Sequence, residues 1–412
     1  MSTTNNLVSA EGSTAQKQPT RWWVVASMFF FGWMFIYADR TILNPVMSSI
    51  GQTFGLDKAG LGLLSSVFFL TYAIVQIPSG MLGDRFGRLK FIVLGFVIFG
   101  VFTGLTGIIG GVGFLFIMRA MVGFGQGFYY GPQYSLSGEM LPEKYRTLGS
   151  AIINSGQAFG ISIGMIGSSF IAFDMGLGWQ GPFWFFAIPT VVVGLLMLIL
   201  IREPKKVASV ASSEPKPSIL SLFKSRNLVL TFIMVFCSLY GFFVMITWLP
   251  TYLAEIWQVP RSQTGFIASL TAWTSVPAAL LIAWVSDRIG KRKPLLMIVF
   301  PSAIVSILLL MFAPSYSVVI VALVLYGLVG KLTTDPLLIA LCGTNSPKAI
   351  TATAFGAFNF IGMSSSILAP YITGWLVDTT GSWNMGFYLA IGLLAIAFVA
   401  ALFLREPRKV AK

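Results

Sequence analysis

The chain has 412 residues, of which 56% are hydrophobic and only 10% charged; a soluble domain carries about 25% charged residues, so a soluble fold is excluded. The formal net charge of +13 comes with no histidine and with two cysteines far apart, Cys237 and Cys342, which removes imidazole proton transfer, a disulfide framework and a Cys/His metal site from consideration. The apolar excess falls in blocks of about 20 residues, the length of a bilayer-crossing helix, and not in the short alternating segments of a β-barrel.

In chain order, residues 1–21 are polar and form a short tail. The first apolar block is a full span, not the short core of a signal peptide, so it is expected to stay in the mature protein. Spans are predicted near 22–46, 59–80, 91–111, 115–138, 147–172, 182–201, 228–251, 263–285, 294–312, 317–341, 350–376 and 384–404. This divides the chain into an N-terminal six-helix bundle (22–201), a polar linker (202–227), a C-terminal six-helix bundle (228–404) and a tail (405–412). Of the 27 Lys and Arg residues, 22 lie in the tails and one alternate set of loops, and two, Lys58 and Arg261, lie in the other set. Arg40, Arg119 and Lys331 lie inside spans. Positive charge stays in the cytoplasm, so both termini are expected there, in a bacterial inner membrane. The basic excess is therefore a topology signal and a place for anionic lipid headgroups, not a nucleic-acid surface.

The chain repeats itself. Asp84-Arg85 recurs as Asp287-Arg288, Arg202-Glu203-Pro204 as Arg405-Glu406-Pro407, and Gly178 as Gly381, always 203 positions later. One offset shared by three landmarks indicates two pseudo-symmetric halves in parallel orientation, an all-α membrane architecture of twelve helices. Such halves, with a site between them at mid-membrane, suit a secondary transporter that works by rocking. Each chain holds both halves, so a functional monomer is expected.

The stretch GMLGDRFGRLK (80–90) resembles the loop 2–3 signature of the major facilitator superfamily, through Gly80, Asp84, Arg85, Gly87, Arg88 and Lys90. RAMVGFGQG (119–127) is similar to its span-4 pattern, and GEMLPEKYR (138–146) to its loop 4–5 pattern, with Glu139 and Arg146. The resemblance covers nearly the whole chain and implies the major facilitator fold. It also implies a gating network on the cytoplasmic face, with Asp287 and Arg288 as the C-half copy, where Ala283 replaces the leading glycine. Within the superfamily, YADR (37–40), TWLPTYL (247–253) and the stretch 352–383 resemble the anion:cation symporters, which take up sugar acids and other organic anions with protons. That resemblance implies substrate binding by Arg40 and proton handling by Asp39. Some members carry a span-4 glutamate for coupling; Gln126 stands at the aligned place, which puts proton coupling in question.

A charge at bilayer depth is costly and must face the bundle interior or water. Neighbours on a helix point about 100° apart, so Asp39 and Arg40 cannot neutralise each other face to face. Arg40 is read as a fixed cation whose planar fork fits a carboxylate, against the alternative of an arginine paired structurally near the outer end of its span. Asp39 is the proton candidate, or else a permanent partner of Arg40 or Arg119. Arg119 is read as structural. Lys331 either contacts substrate or pairs with Asp335, four residues on along the same helix face; Asp335 is a second proton or gating candidate. Counted along the predicted spans, Lys331 and Arg40 lie at different depths, which weighs against one small anion touching both but leaves Lys331 among the substrate candidates. Tyr37, Tyr72, Gln76, Gln126, Tyr129, Tyr130, Trp248, Tyr252, Asn359 and Ser364 complete the candidate pocket, a few polar groups in an apolar wall.

The first expectation is thus a proton-coupled carrier of a small organic anion, such as a sugar acid, aromatic acid or dicarboxylate. An anion exchanger or uniporter without proton coupling is the alternative. A multidrug exporter is disfavoured by three span cations against two acids, and a sensor by the short linker and tails. No nucleophile–base pair, phosphate loop or metal cluster marks an enzyme, and no cofactor is expected.

Overall fold

A computed structural model describes residues 21–108, 110–204, 219–347 and 350–405. Every regular element among them is helical, and twelve helices are long and apolar enough to cross a membrane. They are span 1 (Trp22–Phe54), span 2 (Lys58–Phe86), span 3 (Arg88–Thr106), span 4 (Val112–Met140), span 5 (Leu148–Asp174), span 6 (Gly181–Leu200), span 7 (Arg226–Ile256), span 8 (Arg261–Ile289), span 9 (Lys293–Met311), span 10 (Tyr316–Asn345), span 11 (Thr351–Thr380) and span 12 (Trp383–Leu402). Most of the linker and the C-terminal tail, including Glu406 and Pro407, lie outside the described residues, as does the N-terminal tail up to residue 20.

Three spans are broken, and the breaks reset the depth of the intramembrane charges. Span 1 is helical over Trp22–Ile42, tightens to a 3-10 turn at Asn44–Val46, and resumes over Met47–Phe54. Pro45 sits in the first turn of that 3-10 segment, where its missing N–H costs nothing. The span is therefore longer than 22–46, and Arg40 lies near its middle, not toward its outer end. Span 4 breaks between Gln126 and Tyr130, where Gly127 packs against Val75 and Pro132 follows. Span 10 breaks at Gly330, whose extended backbone begins a new helix at Lys331. Lys331 is consequently also near mid-span. Counted along the observed spans, Arg40 and Lys331 both fall near the middle, in place of the depth difference expected from the predicted spans.

The 203-residue repeat is visible in the backbone. Gly178 and Gly381 both take left-handed conformations, φ +66° and +68°, at the turns leading into spans 6 and 12. Gly87 and Gly290, also 203 apart, end spans 2 and 8 with φ +108° and +65°.

The two six-helix bundles meet along span 2 with span 11, span 5 with span 8, and span 1 with span 7. On the face opposite the basic loops the helices touch backbone to backbone. A Cβ on Gly374 would fall 2.2 Å from the Lys58 carbonyl oxygen, and one on Gly62 2.3 Å from that of Pro370. Polar contacts reinforce this end. The Ala59 N–H donates to Asp378 at 2.6 Å, Lys58 pairs with Glu255 at 3.3 Å, and the Trp383 indole N–H donates to the same carboxylate at 3.2 Å. Overpacking such a contact costs about 1–3 kcal/mol, which shifts a two-state equilibrium roughly 5–150-fold. Gly374→Leu is therefore expected to populate a conformer open on this face. Spin-label distances across the ends of spans 2 and 11 check it; an unchanged distribution would mean this contact does not set the equilibrium.

Candidate functional site

Span 1 carries Asp39 and Arg40 side by side, and the helix turn sends them to different neighbours, with Gln126 between the two. Arg40 Nε donates to the Gln126 side-chain oxygen at 2.9 Å, and the Gln126 amide nitrogen donates to Asp39 at 2.8 Å. Arginine has no acceptor and carboxylate no donor, so this polarity is the one the residues allow. Asp39 also accepts from the Thr103 hydroxyl of span 3 at 2.5 Å and lies 3.9 Å from the Arg119 guanidinium. Both Asp39 and Arg119 are 1% exposed.

Arg40 is differently placed. No carboxylate lies within ion-pair distance of it among the described residues. Its guanidinium sits 4.6–5.9 Å from the ring centres of Tyr72, Tyr37, Phe69 and Phe68. Ring faces attract a cation but leave its charge uncompensated. Arg40 Nη2 and the Nε and Nη1 atoms of Arg119 are buried without hydrogen-bond partners. Both arginines line a narrow cleft between the bundles, walled by Tyr37, Asn44, Phe69, Phe242, Ile246 and others. Unpaired buried donors on two cations are what an anionic ligand would satisfy.

Lys331 lines a second narrow cleft with Thr271, Ser275 and Tyr326, and Phe242 and Ile246 belong to both clefts. Lys331 Nζ contacts Asp335 at 2.5 Å and lies 5.5 Å from the Phe242 ring centre. It is also within electrostatic reach of Tyr37 and Arg40. The clefts of Arg40 and Lys331 thus adjoin, sharing Phe242 and Ile246 as a common wall.

The remaining candidates divide. Tyr72 accepts from the Gln76 amide at 3.0 Å, and Asn359 of span 11 donates to Gln76 at 2.9 Å, a polar string joining the bundles beside Arg40. Tyr130 packs edge-on against Trp33 and at a tilt against Tyr134, and is in electrostatic reach of Asp335. Tyr129 lies inside the N-terminal bundle, its hydroxyl on the Phe29 carbonyl. Trp248 donates to the Pro370 carbonyl, and Tyr252 packs against Trp383 and Phe387 in the C-terminal bundle. Ser364 bonds back to Ile361 of its own helix. Those four are away from both clefts. Thr103, Phe68, Phe69, Asn44 and Phe242 join the site without having been singled out by sequence. The two hydroxyls in the apolar run of span 3, Thr103 and Thr106, were the one available signal, and it did not say which of them meets Asp39.

On the basic face Arg88 is the hub. It forms a two-pronged pair with Glu139 at 2.7 Å, donates to Ser135 at 2.6 Å, and pairs with Glu203 at 3.3 Å. Glu203 also accepts from the backbone N–H groups of Arg88 and Leu89, capping the start of span 3. Arg85, Asp287 and Arg288 are exposed, Arg288 against Trp284. Gly80 and Asp84 lie on the span 2 helix and Arg146 begins the helix of span 5, but the side chains of Asp84 and Arg146 lie outside the described set.

A family model described as Major Facilitator Superfamily matches residues 29–370 and again 231–412. The chain is 29% identical to a probable galactarate/D-glucarate transporter, GudP, of Bacillus subtilis, over 94% of this chain and 92% of that one. It is 26% identical to the voltage-gated purine nucleotide uniporter SLC17A9 of Mus musculus, covering 91% of this chain and 89% of that one. A solved bacterial homologue of the human lysosomal transporter Spinster, in an inward-facing and occupied conformation, superposes with a TM-score of 0.76 at 18% identity, over 94% of this chain and 96% of that one.

Proposed function

Because this chain belongs to the Major Facilitator Superfamily, we propose that it carries a sugar acid or similar small organic anion across the membrane with protons. Transport rather than catalysis follows from the family; the anionic cargo is argued from the site. The observation that carries it is Arg40, a buried cation held by ring faces and a neutral amide, with a donor left unpaired toward an inter-bundle cleft. Relatives named as galactarate/D-glucarate transporters support the same class. Asp39 is the proton carrier in this reading. It shares Gln126 with Arg40, so an anion that pulls on Arg40 alters the hydrogen bonding of Asp39 through one amide.

The membrane is the bacterial inner membrane, with the basic face cytoplasmic. The bundles, packed together at the opposite face, then hold an inward-facing state. The Arg88–Glu139–Glu203 network, with Gly80, Asp84, Arg85, Gly87, Arg146, Asp287 and Arg288, forms the cytoplasmic gate. The protein acts as a monomer.

Exchange or uniport is the second reading, favoured by Gln126, a neutral amide already bonded on both sides. Proteoliposomes holding a pH dye decide between the two. Added galactarate is expected to acidify the lumen, and Asp39→Asn to abolish that signal while leaving labelled galactarate exchange within about tenfold of the parent rate, the loss of one proton-transfer group acting only on the coupled step. Labelled uptake with no proton signal in the parent protein would establish the second reading. No movement of any sugar acid would sink both.

A further inference from the structure

The second cation, Lys331, has a different setting from Arg40. Among the described residues Arg40 meets no carboxylate, whereas Lys331 is already neutralised by Asp335 of its own helix. The two partners are unequally buried: the Lys331 side chain is 7% exposed and that of Asp335 23%. The lysine is the more deeply buried partner, and the carboxylate, partly exposed, is the one that can leave at less cost. The pair stands at the first turn of the half-helix that begins at Gly330, so its movement does not disturb an unbroken span.

The charges at mid-membrane are Arg40, Arg119 and Lys331 against Asp39 and Asp335, one net positive charge when all are ionised. A substrate with one carboxylate on Arg40 brings the group to neutrality with both internal pairs intact. A substrate with two carboxylates leaves the group one charge negative, and if its far end takes a cation from an internal pair, that charge falls on the displaced carboxylate, which must then turn toward water or take up a proton. Lys331 is the span cation in the adjoining cleft, which shares Phe242 and Ile246 with that of Arg40.

We propose that Lys331 is a receptor for a second substrate carboxylate, that Asp335 occupies it when the substrate has only one acid group, and that this exchange sorts dicarboxylates from monocarboxylates. Asp335 is then an internal stand-in for the far end of the cargo. The inference rests on the anion site at Arg40 described above.

The test is calorimetric binding of galactarate and galactonate, matched six-carbon sugar acids with two carboxylates and one, to the purified full-length protein. Lys331→Gln is expected to weaken galactarate by about tenfold or more, the loss of a desolvated charge partner, and galactonate by much less. Asp335→Asn is expected to tighten galactarate several-fold relative to galactonate, because the internal competitor is gone. The double variant Lys331→Gln with Asp335→Asn keeps an amide pair in place of the ion pair and guards against misfolding of the singles; it is expected to match Lys331→Gln. Equal shifts for both acids in all three variants would make the pair structural and overturn the proposal. Arg40→Gln separates the two levels. If neither acid binds the parent protein, or Arg40→Gln leaves both bound as before, the underlying reading fails; if both acids depend on Arg40 but ignore Lys331, this proposal alone fails.

Discussion

Arg40→Gln is expected to cost a bound sugar acid about 2–5 kcal/mol, the price of truncating one partner of a buried, hydrogen-bonded charge pair, or at least about a thirtyfold rise in Kd. The guanidinium supplies what the substitute cannot: a full charge, a spare Nη2 donor, and a planar fork whose Nε already rests on Gln126 while the remaining edge faces the cleft. Glutamine keeps the reach to Gln126 and removes the charge, so the loss reads electrostatics more than packing. Arg40→Lys is the sharper comparison. It keeps the charge but loses the planar fork that spans a carboxylate and stacks among Tyr37, Phe68, Phe69 and Tyr72. It is expected to fall between the parent and Arg40→Gln. Binding and proteoliposome uptake measured together check this. Parent-like affinity in Arg40→Gln, with the protein folded, would move the anion site elsewhere.

Much of the architecture was legible because it is written in composition. Twenty-residue apolar blocks, alternating basic loops and a 203-residue offset are properties of one-dimensional sequence, and they correspond to twelve spans in two bundles. Depth was not legible. It depends on whether a helix continues past Pro45 or restarts at Gly330, and a proline in a 3-10 turn reads from sequence as the end of a span. Partners between spans were legible only as alternatives. The pairing of Lys331 with Asp335 was one of two readings because both lie on one helix, four residues apart. Glu203 stood out as a repeat landmark, yet its bonds to Arg88 and Leu89 need spans 3 and 6 to be side by side. Tyr129, Trp248 and Tyr252 are the same residue types as Tyr37 and Tyr72. Which helix face each occupies separates core from cleft, and residue type carries no record of that in a helix apolar all round.

Arg119→Met is expected to be the most destabilising single change in the site, by about 3–5 kcal/mol, because it leaves a buried carboxylate without its ionic partner. Methionine fills a similar volume and can keep the packing against Phe68, whose ring centre is 4.9 Å from the guanidinium, so a cavity is not the cause. What changes is the charge around Asp39. Thr103 and Gln126 still donate to it, but neither carries a positive charge, and Arg40 is turned toward the cleft. Asp39→Asn in the same chain should restore most of the loss, since an amide needs hydrogen bonds and no counter-charge. Thermal unfolding of the parent, the two single variants and the double variant measures the coupling directly. Additive losses would mean that a separation of 3.9 Å without a hydrogen bond is too loose to couple the two groups. An Arg119→Met protein as stable as the parent but unable to bind galactarate would mean that the unpaired Nε and Nη1 donors serve the substrate, and that Arg119 belongs with Arg40 as a second hand on the anion.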